Sequence, residues 1–166
     1  MVKNSNPVLS SMAAPPHLDA TDRKLLSLLA KDSTLSYAKM GEALHLSAPA
    51  AYERVKRLKR EGVILATRAQ LDGAKLGRPL LCFVQVATNT IARTRQVAAL
   101  AAIPDIEEVH TVTGHYGLVL KVRTRDTRAL EALLAKIHEV DGVEGTNTQT
   151  VLSTLLERGP SADLSG

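Results

Sequence analysis

Five cations fall within seven residues: Arg54, Lys56, Arg57, Lys59 and Arg60. Guanidinium and ammonium groups set this closely form a positive stripe that attracts phosphate. A solvated helix face is the plain alternative. Other chemistry finds little support. The histidines, His17, His45, His110, His115 and His138, share no metal-ligand spacing such as H-x-x-x-H. The single cysteine, Cys82, excludes a disulfide framework and a Cys-based metal site. It lies inside an apolar run, where a buried and inert thiol is expected. There is no Gly-rich phosphate loop and no nucleophile elbow. Neither a metal nor a cofactor is expected.

The charge is unevenly distributed. Of the formal net charge of +4 over 166 residues, positions 17–71 hold ten Lys/Arg against six Asp/Glu, a net +4. Positions 72–166 hold ten against eleven, a net −1, and Lys3 supplies the remaining +1. With 45% apolar and 23% charged residues the composition is that of a globular protein. No run of 18 apolar residues is present, so no membrane span is expected. The first sixteen residues do not read as a secretory signal. The expected location is the cytoplasm.

The elements that must position the basic stripe can be read from local signals. Residues 1–16 have no periodicity and are expected to be a flexible tail. Asp19 and Asp22 form a capping-box variant, and Leu25, Leu28 and Leu29 follow at helical spacing through Lys31. A second helix is expected over Tyr37–Leu44, capped by Ser36, with Met40, Ala43 and Leu44 inward. After the short connection His45-Leu46-Ser47, Ser47 caps a third helix with Pro49 in its first turn. That helix runs to about Glu61 and stops at Gly62. Ala51, Val55 and Leu58 form its inner face. The β-formers of Val63–Leu71 predict a small hairpin or wing strand. Positions 17–71 therefore read as a winged helix-turn-helix.

Positions 72–79, with two Gly and one Pro, read as a linker. Beyond it the expected order is a strand over Leu81–Ala87, a helix over Ala92–Ile103 with Val97, Leu100 and Ala101 inward, and a strand over Ile106–Val112. The turn Gly114-His115-Tyr116-Gly117 leads to a strand over Leu118–Thr124. An amphipathic helix carrying Leu130, Leu133, Leu134 and Ile137 follows, then a long strand over Val143–Leu156. The fold class is α+β, the second domain (80–157) having the ferredoxin-like βαββαβ order, with 158–166 as a tail. Helices would cover one sheet face only. The other carries Leu81, Phe83, Ala87 and Val119, which implies a partner, most simply a second copy of the chain.

The residues Leu18-Asp19, Asp22, Leu25-Leu26 and Leu29, then Leu46-Ser47-x-Pro49 and Arg54-Val55-x-Arg57-Leu58-x-x-x-Gly62-Val63-Ile64, closely resemble the Lrp/AsnC (feast/famine) family of transcriptional regulators. The likeness continues through Val112-Thr113-Gly114 and Gly142-Val143 and spans about residues 17–157. It implies a DNA-binding regulator joined to a ligand-sensing domain. It also implies dimers that often build octamers and an amino acid or related metabolite bound between subunits. A tetrapyrrole (siroheme-type) decarboxylase of similar architecture is the alternative. For that reading His110, His115 and Tyr116 would be proton donors, and Arg123 or Arg125 would meet substrate carboxylates.

For double-stranded DNA, the third helix would enter the major groove. Ser47, Ala48, Ala50 and Tyr52 are the candidates for base contact or groove positioning. Arg54, Lys56 and Arg57 are the candidates for phosphate, or for a base edge if the helix tilts inward. Tyr52 could instead pack on the neighbouring helix, and Arg57 could pair with Glu53 or Glu61. For the effector, the expected site is the turn Gly114, His115, Tyr116 and Gly117, whose backbone N–H groups suit an α-carboxylate. Family members often carry an acidic residue where this chain has Gly117. Thr148, Gln149 and Thr150 match family positions linked to effector response.

Overall fold

The computed structural model describes residues 16–88 and 93–162, and the side chains of 93–96 are not described. The expectation for the tail at 1–16 lies almost wholly outside the described residues. Two compact units divide between Ala69 and Gln70, the second ending at Glu157.

The first unit is three helices, α1 (Ala20–Lys31), α2 (Tyr37–Leu44) and α3 (Ala48–Arg60). Each begins at a side chain that satisfies orphan N–H groups. Asp19 Oδ1 accepts from the Asp22 amide at 2.7 Å, and Asp22 Oδ2 accepts from the Asp19 amide at 3.1 Å. Ser36 accepts from the Lys39 amide and Ser47 from the Ala50 amide, both at 3.3 Å. Leu25, Met40, Ala51, Val55 and Leu58 form the core, with Leu26, Leu29, Leu44, Val63 and Ile64 packed against it. Ala43, expected inward, is exposed. Gly62 ends α3 at φ +74°, and the Val63 amide donates back to the Leu58 carbonyl at 2.9 Å. No strand forms over Val63–Leu71. Val63 and Ile64 are instead taken up by the helical core.

The second unit opens with a turn. Asp72 Oδ1 accepts from the amides of Ala74 and Lys75, so the Gly/Pro segment has an organising side chain of its own. A four-stranded antiparallel sheet follows in the order β2 (Ile106–Thr111), β3 (Leu118–Thr124), β1 (Leu80–Thr88), β4 (Val143–Thr150). Helices α4 (Arg93–Ala101) and α5 (Thr127–His138) complete the ferredoxin-like order. Cys82, Val84 and Val86 of β1 and Leu118, Leu120 and Val122 of β3 are fully buried together with Leu100, Leu133 and Ile137. The strand alternation is that of a sheet covered on one face. Ala101, expected inward, is exposed, and Ile103 joins the core in its place.

β4 ends at Thr150, well short of the predicted Leu156. The Val151 amide still donates to the Leu81 carbonyl at 2.9 Å, after which Leu152 and Leu155 stand almost fully exposed. Apolar composition alone does not make a strand without a ladder partner.

The helix-turn-helix depends on one close approach. A Cβ on Gly41 would lie 2.5 Å from the Leu46 carbonyl oxygen, a backbone atom that cannot swing aside. Gly41→Ala should therefore destabilise the protein by about 1–3 kcal/mol, the usual cost of overpacking. Urea unfolding checks this, and an unchanged midpoint would show that the turn has slack.

Candidate nucleic-acid and effector sites

On α3 the inner stripe of Ala51, Val55 and Leu58 is fixed by burial, so the cations fall on two separate flanks. One flank carries Tyr52, Lys56 and Lys59. Tyr52 is 42% exposed, packs edge-on against Tyr37 at the start of α2 (centroids 5.2 Å, 87°), and has the Lys56 ammonium 5.6 Å from its ring centroid. Both alternatives for Tyr52 are thus partly realised: it packs on the neighbouring helix and remains open to solvent. Tyr37, Tyr52, Val55, Lys56 and Lys59 line a cavity of 180 Å³. Lys56 also lies 3.7 Å from Glu53.

Arg54 and Arg57 occupy the other flank and do not extend freely from it. Arg54 Nη1 donates to Asp19 Oδ2 at 2.7 Å and Asp22 Oδ1 at 2.8 Å, and Arg57 Nη2 donates to Asp22 Oδ2 at 2.6 Å. Arg57 also approaches Glu61 at 3.7 Å. Part of each guanidinium is thus engaged inside the domain, on carboxylates anchored at the α1 N-terminus, while about a third of each arginine side chain stays exposed. The local reading saw Asp19 and Asp22 only as a cap, because their second role spans more than thirty residues of sequence.

Asp22 is 1% exposed. Burial acts to raise its pKa, but hydrogen bonds from Arg57, Arg54 and the Asp19 amide outweigh it, and the carboxyl lies below its ordinary value. Asp19 is lowered as well, first by the Asp22 amide and then by Arg54.

Ser47 is the α3 cap, exposed at the helix N-terminus, and Ala48 and Ala50 are partly buried there. All three therefore flank the first turn of α3.

In the second unit, the turn between β2 and β3 places Gly114 at φ +109°, a conformation that favours glycine. The Val112 amide donates to the Gly117 carbonyl at 3.1 Å. The His115 and Tyr116 rings meet edge-on at 4.9 Å. Gly117 is buried and presents no carboxylate. Thr148, Gln149 and Thr150 are on β4, two strands from β3 and so about 10 Å across the sheet. Their β1 partners are Val84, Phe83 and Cys82, whereas the turn-adjacent Leu118 is level with Val86. A single chain does not bring the two groups together. Thr148 and Thr150 share the covered face with Val84 and Cys82, and Thr150 Oγ1 is 3.6 Å from Cys82 Sγ. Gln149 is on the opposite face.

That opposite face is less apolar than expected. Leu81, Phe83 (38% exposed), Ala87 and Val119 form a central band. Asn147 donates to Gln85 at 3.1 Å on one side of it. On the other, Lys121 pairs with Glu107, Glu108 and Glu157, and Arg123 donates to Glu107 at 2.6 Å. His110 is bonded to Glu108 at 2.8 Å and Arg125 lies 3.3 Å from Asp126. Of the polar groups considered for catalysis, His110, Arg123 and Arg125 are thus paired with acidic neighbours on the strands or beside them. Among the described residues no group of three or more His, Cys, Asp or Glu could hold a metal ion.

The chain matches the AsnC-type helix-turn-helix domain over residues 18–59 and the Lrp/AsnC ligand binding domain over 81–161. It is 33% identical to the HTH-type transcriptional regulator FL11 of Pyrococcus horikoshii over 137 residues, 82% of this chain and 91% of the relative. The chain belongs to the Lrp/AsnC family. It is similar in structure to E. coli AsnC (TM-score 0.82, 26% identity, 88% of this chain and 99% of that one). It also shares the fold of a Neisseria meningitidis regulator solved as its L-Met complex (TM-score 0.83, 24% identity, 90% and 98% covered). As a Lrp/AsnC member it is a transcriptional regulator with helix-turn-helix and ligand-binding domains, not an enzyme. No helix among the described residues is long and apolar enough to cross a membrane.

The Asp22 clamp gives stability a definite pH dependence. A carboxyl lowered in the folded state contributes stability above its unfolded pKa, near 4, and loses it as pH falls through the lower folded value. Asp22→Asn should cost about 1–3 kcal/mol at pH 7, less than a fully buried pair because both arginines reach solvent. The deficit relative to wild type should shrink as pH falls below about 4. Denaturant unfolding from pH 7 to pH 3 checks this; a deficit constant with pH would place the loss in packing.

Proposed function

We propose that the protein is a sequence-specific DNA-binding regulator of the Lrp/AsnC type whose grip on DNA responds to an amino acid or a related small metabolite. The observation that carries the reading is the exposed flank of α3. Its inner face is locked in the core, while Tyr52, Lys56 and Lys59 face outward beside Tyr37. A helix held this way can enter a major groove with its N-terminal turn nearest the bases. Ser47, Ala48, Ala50 and Tyr52 are the groove-facing residues of the proposal, and Lys56 supplies phosphate contact. Arg54 and Arg57 serve the domain interior first.

Two half-sites need two copies, and the open sheet face with Leu81, Phe83, Ala87 and Val119 supports a homodimer; its further assembly, up to an octamer, rests on the family resemblance. The effector would sit between subunits. The turn Gly114, His115, Tyr116 and Gly117 would come from one chain and Thr148, Gln149 and Thr150 from another, in keeping with their separation within a single chain. The L-Met bound by the Neisseria relative makes amino acids the first ligands to test. Because Gly117 brings no carboxylate to an α-ammonium, the carboxylate end of the ligand would be held by the turn's N–H groups. Ligand binding would favour one subunit arrangement and so change half-site spacing. The protein would act in the cytoplasm.

Binding to the protein's own upstream DNA, titrated with salt against a scrambled duplex of equal length, tests the reading. Preference for the upstream duplex with a steep loss of affinity at rising salt is expected. Lys56→Ala should lower affinity for both duplexes and reduce the salt slope by about 1. Absence of any binding, with or without amino acids, would overturn the proposal.

A further inference from the structure

We propose that Asp22 is a specificity-determining residue: by clamping Arg54 and Arg57 it withholds two of the five α3 cations from the DNA backbone. The inference rests on the reading that α3 is presented to DNA, and it assigns to α1 a part in that function.

The geometry makes the withholding firm. Both Asp22 oxygens are taken, Oδ1 by Arg54 and Oδ2 by Arg57 and the Asp19 amide. Asp22 and Asp19 are tied to each other through the capping box, so neither carboxylate can follow an arginine outward. The two carboxylates and two guanidinium groups cancel in formal charge. A phosphate drawing either arginine fully outward would have to break a charge-assisted bond at 2.6–2.8 Å and leave a buried carboxylate underpaired, and in place each arginine's charge is already offset by that carboxylate. The remaining cations of α3 are held differently. Lys56 has a loose ion pair with Glu53 at 3.7 Å and lies near the Tyr52 ring, and Lys59 and Arg60 form no ion pair among the described residues.

The consequence lies in the balance between non-specific and specific binding. Sequence-independent affinity rises with the number of phosphates neutralised, each adding about 0.9 to the salt slope. Base discrimination depends instead on where the groove-facing residues are held. An α3 with five free cations would adhere to any duplex. With two of them neutralised at the root of α1, background binding falls while the clamp fixes the rotation of the helix.

The test uses the full chain, with the upstream duplex and a scrambled duplex of equal length, over a salt series. Asp22→Asn should bind the scrambled duplex at least threefold more tightly than wild type. Its salt slope should be steeper by about 1, the share of Arg57, since Asp19 still holds Arg54, and the ratio of upstream to scrambled affinity should fall. Glu42→Gln, on the exposed surface of α2, adds the same formal charge away from the clamp and should produce a smaller change in both quantities. A role confined to stability would weaken binding to both duplexes and leave the slope unchanged. If Asp22→Asn does not fold, as judged by circular dichroism, Asp19→Asn takes its place. Asparagine keeps the cap and frees one anchor of Arg54, so the change should have the same sign and a smaller size. The inference is overturned if the folded clamp variant binds scrambled DNA no better than Glu42→Gln does. If wild type binds neither duplex, the DNA reading fails and the inference falls with it. Wild-type binding with an unresponsive clamp variant overturns the inference alone.

Discussion

A carboxylate taken out of water must be met by charge, and in the first unit that requirement sets the arrangement of the helices. Asp22 lies at the N-terminus of α1, where a helix dipole and a reciprocal cap already favour a negative group. Arg54 and Arg57 lie one turn apart on α3 and reach it together. Their joint reach fixes the rotation of α3 about its own axis, and the apolar stripe of Ala51, Val55 and Leu58 fixes the same rotation from the inside. Two interactions of different physical kind thus agree on which residues face outward. The outward set, Tyr52, Lys56 and Lys59 with Tyr37 beside them, is therefore a consequence of what is held inside.

The second unit is governed by a different constraint, the coverage of one sheet face only. Cys82, Val84 and Val86 pack against Leu100 of α4 and Leu133 and Ile137 of α5, and they alternate with Leu81, Phe83 and Gln85 on the opposite face. On that open face the polar side chains pair among themselves. Gln85 bonds to Asn147, and Lys121 and Arg123 bond to glutamates, leaving Leu81, Phe83, Ala87 and Val119 between them. A surface with an apolar centre and a polar rim is how a recognition face is commonly built. The same strand order separates the glycine turn from the threonines of β4. A shared ligand between those groups would have to be a property of the assembly.

Much of this was legible in the residue order, and the reasons differ by element. The three helices of the first unit follow their sequence signals to within a residue, because Asp19, Ser36, Ser47 and Gly62 act locally. The central strands are equally clear, since buried β1 and β3 residues alternate without interruption. The errors come from interactions that are distant in sequence or depend on a partner strand. Val63–Leu71 has β-forming residues but no ladder to join, and β4 stops at Thr150 for the same reason. Ala43 and Ala101 show that alanine at a helical period need not be buried. The aspartate partners of Arg54 and Arg57 lie 32 to 35 residues earlier, beyond the reach of a local reading. The capping box gave Asp22 a sufficient local explanation, and its burial shows only once α1 and α3 are packed together.

The central claim is that α3 meets DNA with its Tyr52–Lys56–Lys59 flank while the Asp22 clamp stays closed. Nuclear magnetic resonance of the arginine side-chain N–H groups and lysine ammonium groups, recorded with and without the upstream duplex, tests it most directly. The account predicts that the Lys56 and Lys59 signals shift on binding and that those of Arg54 and Arg57 stay near their free-protein positions. Large shifts of Arg54 and Arg57, with Lys56 and Lys59 unmoved, would contradict it.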